Sequence, residues 1–457
     1  MDKRRTLLGR VDARALAFTA GSDIHLDMLL AEADCIGTAA HVTMLSRIDS
    51  APPVSPHHRD RIVRELVSII RSVREKRFKI RKTDQDVHLA VERVLTQKLG
   101  DAGKRVHTGR SRNDQIAVDL RLYGKQQLLD VMGLVHELSQ TLVKIASKNK
   151  AVPMVGRTHQ QRAMPSSVGL WASSHAESLL DDHIVLEAAY AVNDRCPLGS
   201  GAGFGVPLAI DRHLTSRLLG FREPHVNVLY AANGRGKCES VILSSLSQVM
   251  LTLSRLAQDL ILYSIPELGY FTLPDEFCTG SSIMPQKRNP DVVELTRARA
   301  TVVIGYASTV STIVGSLSGG YHRDLQETKG PFLDGLRITR ECLEILTMFL
   351  PGIRINRRKL IESFSPEVFA TDRALEKVSR GKAFRDAYKE VKNDPETILS
   401  DDPVEALRKK EHYGAPANLD FSEFRRRIRE RARFVSAERK KFHSAVTRLL
   451  GVRYPDL

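Results

Sequence analysis

Apolar residues recur at near-helical spacing from Cys238 to Ser264, where Val241, Leu243, Leu246, Val249, Met250, Leu253, Leu256, Ala257, Leu260 and Ile261 spread around most of the circumference. A helix apolar that far round needs neighbours on several sides. Two more long helical patterns, Asp114 to Ser147 and Pro290 to Leu317, lie before and after it, and few alternating runs of the kind that build strands accompany them. The pattern predicts a mainly α protein on a long central helix bundle that other subunits complete, with smaller helical domains at both ends.

Proline and charge mark the boundaries. "DSAPPVSPHH" (Asp49 to His58) carries three prolines, which exclude a continuous helix and read as a linker. Residues 1–105 form an expected N-terminal domain and 106–353 the bundle. The more charged, shorter-patterned stretch 354–457 forms a C-terminal helical domain. Within it "FRRRIRERARF" (Phe424 to Phe434) places Phe424, Ile428 and Ala432 on one helix face, with a solvated cationic face opposite. From Ala300 to Tyr321 no charge occurs, long enough to raise a membrane span. Its seven Ser or Thr and four Gly favour a helix buried inside a protein bundle instead.

Composition narrows the partners. The 457 residues carry 69 Lys plus Arg against 54 Asp plus Glu, a net +15 that suits anionic small molecules, nucleic acid or an acidic membrane surface. Basic patches interleaved with aromatics are missing, so a nucleic-acid partner is not expected. Five scattered cysteines without a CxxC pair imply reduced thiols, and with no apolar run after "MDKRRTLLGR" no secretion signal is expected. These features point to a cytoplasmic protein without a membrane partner.

Three stretches resemble binding motifs and fail on inspection. "GRGKC" (Gly234 to Cys238) lacks the upstream glycine and the Ser or Thr after lysine that a phosphate loop requires. "PLGSGAGFG" (Pro197 to Gly205) never satisfies GxGxxG and reads as a tight-turning connection. His88 and Glu92 in "DQDVHLAVE" have i, i+4 metal-ligand spacing but no recognisable third ligand, and read as a helix-surface pair.

Four polar clusters have no structural explanation of this kind. "HTGRSRNDQ" (His107 to Gln115) precedes a long helix. Ser111 and Asp114 can cap it, but capping leaves two arginines and an amide over. Free N–H groups at a helix start bind carboxylates, and arginines strengthen such a site. "GRTHQQRAMP" (Gly156 to Pro165) sets Thr158 and His159 at the expected mouth of another helix, and "GGYHRDLQETK" (Gly319 to Lys329) ends the uncharged helix in hydrogen-bonding groups. In "TGSSIMPQKRNP" (Thr279 to Pro290), Gly280 permits unusual backbone, N–H groups near Ser281 and Ser282 can cradle an anion, and Lys287 with Asn289 can bind a carboxylate. It reads as an active-site lid.

"GSSIMPQKRNP" resembles the signature of the fumarase/aspartase superfamily. "HTGRSRNDQ", the Thr-His pair of "GRTHQQRAMP", "MPQKRNPD" and "YHRDLQ", in that order, are together similar to the argininosuccinate lyase family, with likeness from about Phe18 to Tyr388. The resemblance implies a homotetramer with each active site assembled from three chains, and reversible elimination of arginine and fumarate from argininosuccinate in arginine biosynthesis, without metal or organic cofactor. It makes Ser281 the base at carbon and His159 the acid at the leaving nitrogen, directly or through water, with Glu294 orienting His159; the proton that each moves is left open. Lys287 stabilises charge. Asn113, Thr158, Asn289, Tyr321, Gln326 and Lys329 fall at the substrate, with His88, Ser111 and Arg112 as weaker candidates, and Ser22 or Asp23 as the N-terminal contact.

The chain departs from the family pattern at Arg157, where tyrosine is common, at Gln160 for leucine, and at Thr328 for an acidic residue. These changes bear on the amine released, so a lyase for another N-substituted aspartate is the competing enzyme reading. A crystallin-like structural protein is the competing non-enzyme.

Overall fold

The computed structural model describes residues 5–6, 9–10, 12–49, 51–81, 83–394 and 401–456. Its principal helices are α1 (Ala31–Leu45), α2 (Pro56–Arg74), α3 (Val87–Leu99), α4 (Arg112–Lys148), α5 (Val168–Asn193), α6 (Lys237–Ser264), α7 (Asp291–Gly315), α8 (Lys329–Phe349) and α9 (Phe421–Leu450). One antiparallel hairpin, β1 (Pro153–Thr158) with β2 (Gln161–Ser167), precedes α5.

Local chemistry explains the helix starts. Ser55 accepts the His58 N–H at 3.2 Å with Pro56 in the first turn of α2, so the end of the expected linker is already helical. Ser111 and Asp114 form the capping box of α4: Asn113 N–H donates to Ser111 Oγ at 3.2 Å, and Ser111 N–H to Asp114 Oδ1 at 2.9 Å. At the start of α6 the backbone of Gly236 takes φ 76°, and a Cβ there would meet Val314 Cγ2 at 2.5 Å. Only glycine lets the end of α7 approach so closely.

Helices α4 to α8 pack into a bundle whose core runs through Leu128, Leu179, Leu246, Leu253, Val303 and Leu336. Helix α6 is the one described helix long and apolar enough to cross a membrane, and its burial against α5, α7 and α8 marks it as a core helix. Helix α7 buries Ala300, Val303 and Val310 but leaves Leu295 55% and Val302 42% exposed, because its own chain covers one side only.

A second core joins α1 to α3 with Val118 and Leu122 of α4 and with Phe442, Val446 and Leu449 of α9. A third, small core holds Phe369, Ala374, Ala387, Val391 and Ala406. Helix α9 returns along α4 and α5, with Ile428 and Val435 in the bundle core, so residues 421–450 pack with the first two cores. Lys125 helps fasten it: fully buried, it pairs with Asp194 and lies 4.9, 5.4 and 5.8 Å from the rings of Tyr190, Phe221 and Phe442.

Candidate active site

The start of α4 carries Ser111, Arg112 and Asn113. Beneath them Asp114 Oδ2 accepts the N–H groups of Gly199 and Gly201, each at 3.1 Å, so the glycine-rich connection closes on the helix start. Burial raises the Asp114 carboxyl despite these donors and Arg110. Arg112 Nη1 lies 3.3 Å from Asp86 Oδ2, while Asp86 caps α3 through the Leu89 N–H.

His88 on α3 is not a surface pair with Glu92. It is buried, with Nδ1 2.7 Å from Asp34 Oδ1 and 3.7 Å from Asp119 Oδ2, because α3 turns this face toward α1 and α4. The ligand atoms of these three residues all lie within 4.8 Å of one another, a grouping that sequence spacing could not reveal. Burial pushes the imidazole down, but the charges of Asp34 and Asp119 and the Asp34 hydrogen bond outweigh it and lift His88 to about 9. A histidine raised on folding contributes stability that is complete below about pH 6.5 and is lost as pH rises through about 9. The urea midpoint is therefore expected to fall across that window, and His88→Gln to flatten the fall. An equal slope in the variant would assign the pH dependence elsewhere.

Lys329 opens α8 and is buried to 3% exposure, with Nζ 2.8 Å from Asp23 Oδ1 and 2.6 Å from Asp27 Oδ1. Both aspartates lie on the short helix Asp23–Met28, four residues apart and so on one face. Burial raises Asp23, with Lys329 opposing the shift, whereas Ser22 is exposed. Asp27 Oδ2 also accepts the Val87 N–H at 3.1 Å, which ties this cluster to the helix carrying His88. Gln326 Nε2 donates to the Thr19 carbonyl at 3.1 Å, and the Arg235 guanidinium stands 5.5 Å from the Tyr321 ring centre. Thr328, fully buried, donates to the Leu325 carbonyl at 2.8 Å.

The loop Thr279 to Asn289 is closed by paired backbone bonds, Thr279 N–H to Asn289 O at 3.2 Å and Asn289 N–H to Thr279 O at 2.8 Å. Ser281 Oγ accepts the N–H groups of Ile283 at 3.3 Å and Met284 at 3.1 Å. Asn289 Nδ2 donates to Thr279 Oγ1 and the Gly280 carbonyl. Lys287 is exposed at the loop surface, and Glu294 is exposed in the first turn of α7.

Thr158 and His159 stand at the tip of the β1–β2 hairpin, not at a helix mouth; α5 starts only at Val168. His159 and Gln160 form a two-residue turn, with φ 53° and 61°. The sequence lacks the Asn-Gly signal of such turns, which explains why the hairpin was not expected.

Three groups result. Bonds through Asp27, Asp34, Asp86 and Asp119 link the surroundings of His88, Arg112 and Lys329, with Ser111 next to Arg112 at the start of α4 and Gln326, close to Lys329 in the chain, held to the Thr19 carbonyl. Ser281, Lys287, Asn289 and Glu294 form a second group, Thr158 and His159 a third. Among the described residues no hydrogen bond or ion pair joins the three. Sequence reasoning missed Asp27, Asp34, Asp119 and Arg235; only the i, i+4 spacing of Asp23 and Asp27 signalled any of them.

The model of a lyase family matches residues 11–305. The chain is 43% identical over 93% of its length to the argininosuccinate lyase of Sorangium cellulosum (strain So ce56), covering 98% of that protein. Among solved structures, EDDS lyase in complex with formate shares the fold with a TM-score of 0.79 at 21% identity, covering 98% of each chain. The class II fumarase of Schistosoma mansoni does so at 0.68 and 18%, covering 88% of this chain and 98% of its own. The long helix bundle is thus of the fumarase type, and the chain belongs to the argininosuccinate lyase family.

Proposed function

We propose that this protein cleaves the C–N bond of argininosuccinate to release fumarate and arginine. The observation that carries this reading is the Thr279–Asn289 loop, in which the Ser281 oxygen receives two backbone N–H bonds. Two donors favour the alkoxide over the neutral hydroxyl, which is what a serine needs to act as a base. Removing a proton beside a carboxylate makes a dianionic intermediate, and Lys287, Asn289 and the loop amides supply the fixed cation and donors it requires. His159 protonates the departing nitrogen, with Glu294 setting its orientation and charge.

The second group and the hairpin tip come to the first from other copies of the chain, so the working form is a homotetramer in the cytoplasm. The uncovered side of α7 supports this: it exposes Leu295 and Val302 as a bundle helix with missing neighbours would. Incubation with argininosuccinate is expected to raise fumarate absorbance, from a species four times the 51.0 kDa chain mass in light scattering. Turnover of adenylosuccinate or aspartate in place of argininosuccinate would favour the competing lyase. A tetramer that turns over none of the three would favour the crystallin-like reading.

A further inference from the structure

The tip of the β1–β2 hairpin is held by a single side chain. His159 and Gln160 both sit at positive φ although neither is glycine, a conformation that L side chains disfavour and that needs outside support. Arg157 Nη1 donates to the Gln160 carbonyl at 2.9 Å, and its Nη2 reaches Tyr270 Oη at 3.4 Å. Tyr270 is 1% exposed and stacks on Tyr263 at 5.7 Å, so it belongs to the rigid end of the bundle. Among the described residues no other side-chain hydrogen bond reaches 158–161. The rest of the hairpin is tied separately, by Arg162 to Ser365 and by Lys410 to the Pro165 carbonyl.

We infer that Arg157 is a positioning residue for His159. Its planar guanidinium bridges an immobile phenol and the turn carbonyl next to His159, and so fixes the direction in which the imidazole leaves the turn. The inference rests on the acid role proposed for His159. It also accounts for arginine at a position where the family pattern has tyrosine: the unusual residue performs a local task that depends on this turn.

The test is a pair of variants and their combination, assayed on argininosuccinate. Arg157→Ala is expected to lower kcat by about 10- to 100-fold through misplacement of His159, with KM unchanged. Melting temperature and tetramer mass should stay as in the unsubstituted protein. Arg157→Lys, with one point donor for two acceptors, should recover only part of the loss. Adding Arg157→Ala to His159→Asn should cost nothing further, because the arginine acts through the histidine. A large loss in His159→Asn beside none in Arg157→Ala would overturn the positioning role alone, as would full additivity in the double variant. Full turnover in His159→Asn would overturn the acid role and the positioning role with it.

Discussion

Ser281→Ala is expected to lower kcat for fumarate release by about 10²- to 10⁴-fold, the contribution of a positioned proton-transfer group. The fold should survive, since among the described residues the Ser281 side chain hydrogen-bonds only to Ile283 and Met284 within its own loop. The two N–H groups that now bond Oγ would be left to water, at little cost on an exposed loop whose Ile283 is 82% exposed. Melting temperature, native mass in light scattering and turnover measured together separate the possibilities. A folded variant of the parent's native mass with unchanged kcat would remove Ser281 from the chemistry.

Lys329→Met is expected to have the largest effect on stability, a loss of about 3–5 kcal/mol from removing one partner of a buried ion pair. Asp23 and Asp27 would then face each other's charge in the protein interior without the ammonium that bonds both at 2.8 and 2.6 Å. Burial already raises Asp23, and loss of the opposing Lys329 charge raises it further. Proton uptake by Asp23 relieves part of the repulsion, so the deficit should shrink on going from pH 7 to pH 5. Urea titrations at both pH values measure it, and Asp27→Asn in the Lys329→Met background should restore part of the stability. A variant that unfolds at the same urea concentration as its parent would show that the cluster holds little of the fold's free energy.

Much of the fold was legible from period alone. The expected helices Asp114 to Ser147, Cys238 to Ser264 and Pro290 to Leu317 correspond to α4, α6 and α7 to within a few residues at each end. Helical period and caps are local, encoded within a turn or two of chain. The hairpin before α5 was missed because His159 and Gln160 hold a turn that the usual residues do not announce. Helix α9 read correctly as amphipathic, but its partners could not be read: a cationic stripe looks the same on a free domain as on a helix returning along α4 and α5.

The candidate site divides along the same line. Motif chemistry picked out Ser281, Lys287, Asn289 and His159, because each cluster is contiguous in sequence, and the family resemblance added Lys329. His88 was misread as surface because the carboxylate beside it, Asp34, lies 54 residues away in the chain.

By itself, then, the sequence determined a mainly helical bundle, a set of polar clusters rich in donors and cations, and a likeness strong enough to name the family. Tertiary structure alone decided that Lys329 is neutralised by Asp23 and Asp27, 306 and 302 positions away. It also decided that His88 lies between two carboxylates and that His159 rides on a strained turn held by Arg157. Electrostatic interaction depends on distance through space, and helical period carries no record of which distant charges folding brings together.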